Sequence, residues 1–348
     1  MKTAIVILNW NGIEQLQKYL HDVVARSKGN DNRVIVADNG STDHSLSYIE
    51  ANFPTVECIK LDHNYGFAGG YNRALEHVEA DVYCLLNSDV RVSDDWLSDA
   101  LGTLSRDEDI VAVQPKILSD RDQARFEHAG AAGGFIDHYG YPFCRGRIMD
   151  VIENDEGQYD NSIDIFWASG ACLFIKSKAF WDAGGFDADF FAHMEEIDLC
   201  WRIKNQGKRI VYCPGSVVYH WGGATLDYEN PRKLFLNFRN SLWTLYKNYT
   251  GLFLGFMMFR RMMIDTSAIL KYLVSFNPKN AMAVITAHVA FYKSMPQIRH
   301  KRKALREKVV IRKHNEMLQG SVVLDFFLGR KRTFSNLKKF REKINSRG

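Results

Sequence analysis

With 348 residues, 46% apolar and 25% charged, the chain has a globular composition and is longer than one ordinary domain, so a large domain followed by a tail is expected. Six cysteines (Cys58, Cys84, Cys144, Cys172, Cys200, Cys213) fall at irregular spacings without a CxxC pair, which argues against a zinc site or disulfide framework and fits a reducing, cytoplasmic compartment. The net charge of +4 is uneven: from Arg299 onward 16 basic residues face 4 acidic ones, a pattern suited to an anionic surface, and with no nucleic-acid module present a membrane suits it better than nucleic acid.

The chain opens on an apolar run that breaks at Asn9, which reads as a buried strand rather than a signal peptide. Similar runs occupy Ala4–Leu8, Val34–Ala37, Val56–Leu61, Val82–Leu86 and Ile110–Val113. Helix-like segments Ile13–Arg26, His44–Phe53, Ala68–Val78 and Asp95–Leu104 separate them. This alternation predicts βαβ units and a parallel sheet buried on both faces, with ligands at the carboxyl ends of the strands. The segments after those ends are polar: Asn9-Trp10-Asn11-Gly12, the run from Asp38 to Asp43, and Asn87-Ser88-Asp89.

Residues 116–162 are rich in Gly, Asp and Arg and predict hairpins and a mobile loop over the site. Ile163–Phe174 reads as a strand, Glu195–Asn205 as a helix stopping at Gly207, and Arg209–His220 as paired strands broken by Pro214-Gly215. From Asn230 the pattern is helical and aromatic. Leu252–Phe259, Ile264–Phe276 and Ala281–Tyr292 are too short or too charged to cross a bilayer, which takes about 20 apolar residues. They read as surface or interfacial helices.

Several residues have the chemistry of a binding or catalytic site. Asp38 ends a strand where it can accept a hydrogen bond from a base or ribose; an Asx turn, with Asp43 capping the next helix, is the structural alternative. The loop His63 to Arg73 carries Gly66, Gly69 and Gly70, so backbone can approach a ligand and the helix starting there offers amides to an anion. Asn87 and Asp89 stand at i and i+2 on a strand tip and can grip an ion together. Glu195, Glu196 and Asp198 share the first turn of a helix. The helix dipole is reason enough for acids there, Asp198 to Arg202 is an i,i+4 pair, and the adjacent Glu195 and Glu196 suit a general base. His220 ends a strand beside Trp221-Gly222-Gly223; a histidine in isolation is more often structural than a ligand.

Taken in order, VILNWNG, VADNGSTD, NYGFAGGYN, LLNSDV, GGFDADFF, EEIDLCWR and YHWGG resemble glycosyltransferase family 2, the inverting GT-A enzymes, in its rhamnosyltransferase-like branch. The resemblance covers roughly residues 1–245. It implies an α/β GT-A (Rossmann-like) fold, a mostly parallel sheet flanked by helices, with a helical C-terminal extension. Residues 1–245 would form the catalytic domain, with 1–115 the nucleotide-sugar half and 116–245 the acceptor half. Residues 246–348 would be a helical basic region contacting a membrane, peripherally at its inner face, or a second copy in a homo-oligomer.

By that resemblance Asn9, Asp38, Asn64 and Asn72 line the nucleoside pocket, with Gly66 and Asn87 also on the donor. Asp89 matches the last aspartate of the DXD metal motif, His220 the second protein ligand of Mn²⁺ or Mg²⁺, and Glu196 the catalytic base, with Glu195 and Asp198 as alternatives. Two departures stand out: Asn87 replaces the first DXD aspartate, and the base position carries Glu in place of Asp. The implied reaction moves a sugar from a nucleoside-diphosphate sugar, dTDP-rhamnose or a UDP-sugar, to an acceptor hydroxyl of a glycan or polyprenyl-linked glycan in bacterial surface polysaccharide synthesis. A non-catalytic nucleotide-sugar-binding subunit is the alternative. A nucleotidylyltransferase is disfavoured, because Asn9-Trp10-Asn11-Gly12 stands where its Gly-rich, Arg-containing loop would be.

Overall fold

The computed structural model describes residues 1–29, 31–222 and 230–345. Its first third runs β1 (Thr3–Asn9), α1 (Ile13–Arg26), β2 (Asn32–Asp38), α2 (Ser45–Asn52), β3 (Glu57–Lys60), α3 (Gly66–Leu75), β4 (Val82–Asn87), β5 (Val90–Val92), α4 (Ser98–Arg106) and β6 (Ile110–Ser119). Strands β1 to β4 are parallel, and their registers pair Asn9 with Asp38 and Leu8 with Asn87. Three polar residues therefore meet at one carboxyl edge. The period-2 alternation of β1 divides its apolar side chains between the two faces. Ala4 and Val6 join the core beneath α3, while Ile5 and Ile7 join the one beneath α1 and α4.

The middle of the chain holds β7 (Gly134–Asp137), β8 (Pro142–Cys144), β9 (Arg147–Ile148), β10 (Val151–Ile152), β11 (Ile163–Asp164), β12 (Cys172–Lys176), α5 (Ser177–Asp182), α6 (Glu195–Asn205) and β13 (Arg209–His220). Among the described residues the main sheet has nine strands in the order β11-β13-β6-β12-β4-β1-β2-β3, with β5 paired on β13. Strand β12 lies antiparallel between β4 and β6, so the sheet is mixed, mostly parallel as expected, with β12 the strand whose direction the sequence did not give. The run Ile163–Phe174 is two strands because residues 165–171 leave the sheet. Trp167 pairs with Gly134 there and donates its indole N–H to the Phe135 carbonyl at 2.7 Å. Conversely, Pro214-Gly215 does not divide β13. The strand continues through a register shift between Cys213 and Val217, a bulge that absorbs the missing proline donor.

The remainder comprises α7 (Pro231–Asn248), α8 (Leu254–Val274), α9 (Pro278–Lys293), α10 (Met295–Arg306), β14 (Met317–Leu318), α11 (Val322–Phe327) and α12 (Lys338–Asn345). Residues 134–152 form the antiparallel hairpins expected there, and with β14 they make a second sheet in the order β10-β9-β8-β7-β14. Its fifth strand comes from the far C-terminus, and Phe334 and Phe340 pack with Phe135 at ring separations of 5.4 Å each. The boundary expected after residue 245 falls inside α7, near its end. Helix α8 is pinned by the buried Arg261, which pairs with Asp265 and donates to the Tyr139 carbonyl and the Ser241 hydroxyl. Three residues of the basic cluster 299–308 are engaged within the protein, although only Arg302 is buried. Lys301 binds Asp187 and Asp189, Arg302 the carbonyls of Tyr246 and Lys247, and Lys308 the carbonyl of Asp182. Among the described residues no helix is long and apolar enough to cross a membrane.

Candidate functional site

Antiparallel pairing of β5 with β13 sets His220 opposite Val90, one residue beyond Asp89. Asp89 Oδ1 lies 3.1 Å from His220 Nε2, and Asn87 Nδ2 approaches the same nitrogen at 3.5 Å. The opposite edge of the ring faces Glu127, whose Oε2 is 3.3 Å from Nδ1 and accepts the Ala129 amide. Burial alone would favour a neutral imidazole, but Asp89 and Glu127 outweigh it and hold the His220 pKa well above its usual value. Burial likewise opposes charge on Glu127, and His220 overrides it, keeping that carboxyl below its usual range.

Among the described residues no three His, Cys, Asp or Glu side chains converge on one point, because Asp89 and Glu127 sit on opposite edges of the ring. Asp89 and His220 do fit as two adjacent ligands of a divalent cation. Donors about 2.1 Å from an octahedral ion are roughly 3 Å apart when adjacent, which their spacing matches. Such a pair leaves other positions open. Glu127 lies 3.3 Å from Nδ1, close enough to act on the ring by charge, although that nitrogen makes no hydrogen bond in the geometry present. The sequence reading missed Glu127, which sits in an Ala- and Gly-rich stretch with no spacing cue.

At the neighbouring strand ends Asn9 and Asp38 are buried and bonded to each other. Asn9 Nδ2 donates to Asp38 Oδ1 at 3.0 Å, and Asp38 Oδ2 accepts the Ser41 amide at 2.9 Å. Asp38 thus closes its turn on an amide three residues on, and the two-residue Asx turn is made by Asp43, which accepts the amides of Ser45 and Ile13. Asn9 Oδ1 is buried without a hydrogen-bond partner. Asn39, which the sequence reading passed over, ties β2 to the next loop. Its side chain donates to Asn64 Oδ1 and the Gly66 carbonyl and accepts the Tyr65 amide.

Asn64 accepts the Gly66 amide, and the Phe191 carbonyl accepts the amides of Phe67 and Ala68 at 2.7 and 3.3 Å. The α3 N-terminus, expected to offer amides to an anion, is thus satisfied from within the protein. Gly66 has φ +72°, and a Cβ there would lie 2.5 Å from the Phe191 carbonyl oxygen, so this close approach needs glycine. Asn72, expected in the nucleoside pocket, instead clamps the backbone of Phe186, donating to its carbonyl and accepting from its amide.

The segment ahead of α6 is strained: Phe191, His193 and Met194 all have φ between 64° and 72°. Such conformations cost about 1–3 kcal/mol each in non-glycine residues and persist only where the surroundings impose them. Asn240 of α7 does so, donating from Nδ2 to the carbonyls of Phe190, Ala192 and His193. At the helix start, burial pushes the Glu196 carboxyl up to about 7. Burial, then the Glu196 charge, holds Glu195 well above its usual range. Each has a buried Oε2 without a hydrogen-bond partner. Asp198 differs, since Arg202, Lys247 and Asn248 surround it at 2.7–3.0 Å and leave it a structural anchor with no free atom for substrate. The two corners are linked: the Cys200 thiol of α6 accepts the Ala168 amide, Ser169 Oγ donates to the Ala129 carbonyl, and the Ala129 amide binds Glu127.

The model of the family "Glycosyl transferase family 2" matches residues 4–182. It includes Asn87, Asp89 and Glu127 but ends before Glu196 and His220. An N-acetylglucosaminyl-diphospho-decaprenol L-rhamnosyltransferase of Mycobacterium tuberculosis is 27% identical over 203 residues, 54% of this chain and 66% of that protein. This chain therefore spans slightly under two thirds of that relative's length. Among solved structures, the mannosyltransferase PcManGT from Pyrobaculum calidifontis, in complex with GDP-Man and Mn²⁺, aligns at TM-score 0.51 and 15% identity over 88% of this chain and 85% of that one. GalNAc-T7 with UDP, GalNAc and Mn²⁺ aligns at TM-score 0.54 and 15% identity over 72% of this chain and 48% of that one. With the family model matching just over half its length and the GT-A sheet in place, this chain belongs to glycosyltransferase family 2.

Proposed function

We propose that the protein transfers a sugar from a nucleoside-diphosphate sugar to an acceptor hydroxyl, with inversion and with a divalent metal. The observation that carries this reading is the meeting of Asp89 and His220 at the carboxyl edge of the sheet, 3.1 Å apart. These two residues would hold the cation, with Glu127 orienting the imidazole. When bound, the metal neutralises charge on the leaving diphosphate. Asn87 leaves one negative charge fewer at that corner and offers an amide donor to the same oxygens. The strand-end residues Asn9 and Asp38 form the floor on the nucleoside side. Glu196 accepts the proton of the attacking hydroxyl, and a pKa near 7 suits a base that works close to neutrality. Glu195, buried beside it and biased toward the protonated form, keeps a second negative charge out of the site.

The relative's printed name supports an acceptor linked to a polyprenyl diphosphate and a rhamnose donor, at the membrane where such lipids reside. The decisive experiment incubates the protein with dTDP-rhamnose and UDP-sugars, Mn²⁺ and a lipid-linked acceptor, with and without excess EDTA. Metal-dependent release of nucleoside diphosphate with glycosylated acceptor supports the proposal. Donor binding without turnover would assign a non-catalytic sugar-nucleotide subunit instead, and full turnover in EDTA would remove the metal from the mechanism.

A further inference from the structure

Helices α8 and α9 each turn large apolar side chains outward. On α8 Phe256, Phe259, Met263, Leu270 and Leu273 follow at intervals of three, four and seven residues, and each is more than half exposed. On α9 Met282, Ile285 and Val289 follow at intervals of three and four residues and are exposed, Ile285 least at 39%. The hairpin ends are the most exposed: Phe253 before α8 is 73% exposed and Phe276 at the turn 94%. A protein free in water rarely leaves so many adjacent large apolar groups uncovered.

The charges around this face decide what covers it. From residue 254 to 293 there is one acidic residue, Asp265, and it is buried against Arg261 and His288. Arg260, Lys271, Lys279 and Lys293 are exposed. A second copy meeting this face through a two-fold axis would set the same cations against one another with no carboxylate between them. An anionic bilayer answers both features, receiving the aromatic and aliphatic side chains below its headgroups and pairing its phosphates with the lysines and arginines.

We propose that the α8–α9 hairpin is a bilayer-docking surface that lies in the plane of an anionic membrane, with Phe253, Phe256, Phe259 and Phe276 entering the headgroup–acyl boundary. This role shifts from the basic cluster 299–308, whose Lys301, Arg302 and Lys308 are engaged within the protein. The hairpin also touches the machinery of the site. Trp243 of α7 donates its indole N–H to Ser294 at the end of α9 at 2.9 Å, and Asn240 of the same helix braces the loop ahead of Glu196. Docking therefore holds the acceptor side of the site at a set position relative to the bilayer; this last clause rests on the proposed function, and the docking itself does not.

The test is flotation of the full-length protein with vesicles of phosphatidylcholine alone or with phosphatidylglycerol, across a salt series. Binding should require the anionic lipid and weaken as salt rises. The double substitution Phe259→Asp with Ile285→Asp, on exposed positions, should cut vesicle binding at least tenfold while leaving the melting temperature and nucleoside diphosphate binding unchanged. Indifference of the wild type to anionic vesicles at low salt overturns the proposal. So does sedimentation showing a dimer that the same double substitution dissolves, since that assigns the face to a second copy. Vesicle binding by a protein that shows no sugar transfer would leave docking standing and remove the proposed reaction.

Discussion

Glu196 combines an unpartnered buried oxygen with a pKa near 7, two properties that a merely structural carboxyl at a helix start would not need. Glu196→Gln should lower transfer by about 10²–10⁴ and leave donor affinity nearly intact, measured as initial rate against nucleotide binding. The wild-type rate should climb as pH rises through about 7, because the base must be ionised. Stability should move the other way. A carboxyl whose folded pKa lies above its unfolded 4.5 binds its proton more tightly in the native state, so stability declines as pH rises from about 4.5 to 7. Glu196→Gln removes this group's part of that slope, and melting curves at pH 5 and pH 8 would reveal it. A second expectation concerns Glu127. Glu127→Gln should weaken Mn²⁺ binding in the presence of nucleoside diphosphate by about 10–100-fold, read by the electron spin resonance of free Mn²⁺, with little change in melting temperature. Unchanged Mn²⁺ affinity would reduce Glu127 to a packing residue. Asp89, Glu196 and His220 drew notice in the sequence because each sits in a short run of motif neighbours, and their roles remain the proposal made above. Glu127 and Asn240 did not, since their partners are supplied by segments remote in the chain.

Among the elements, the loop between α5 and α6 depends on two others for its shape. Gly66 admits the Phe191 carbonyl to the start of α3, and Asn240 gathers three carbonyls from the other side. Gly66→Ala puts a Cβ against a backbone oxygen at a residue with positive φ. It should destabilise by more than about 1 kcal/mol and slow transfer, because the displaced loop leads into Glu195 and Glu196. Thermal denaturation and steady-state rates would measure both effects, and a variant with wild-type stability would show that the contact is dispensable. Helices α1 and α6 run where periodicity and flanking residues placed them, whereas β12 did not declare its direction. An apolar run of five residues carries no mark of whether its neighbours run with it or against it.

For the molecule as a whole, the C-terminal segment completes the fold around the site. Strand β14 pairs with β7, and Phe334 and Phe340 pack against Phe135, so the second sheet draws on residues beyond 316. A chain ended before Met317 should lose cooperative unfolding or turn insoluble, since a row of buried phenylalanines would meet water. A truncated chain that melts as sharply and as high as the full one would contradict this.

From its residues alone the chain specified its alternation of strands and helices, the family series and the polar strand ends, because hydrophobic period and short motifs are local properties. It also specified that the excess of positive charge lies late in the chain. Only the tertiary structure decided that β12 enters the sheet antiparallel, that His220 lies between Asp89 and Glu127, and that Asn72 and Asp198 serve the scaffold. It likewise engaged Lys301, Arg302 and Lys308 of the basic cluster with the protein and left apolar side chains of α8 and α9 outward. Each of these outcomes depends on which distant segment fills a neighbouring space, and a contact between segments remote in the chain leaves no periodic mark in either of them.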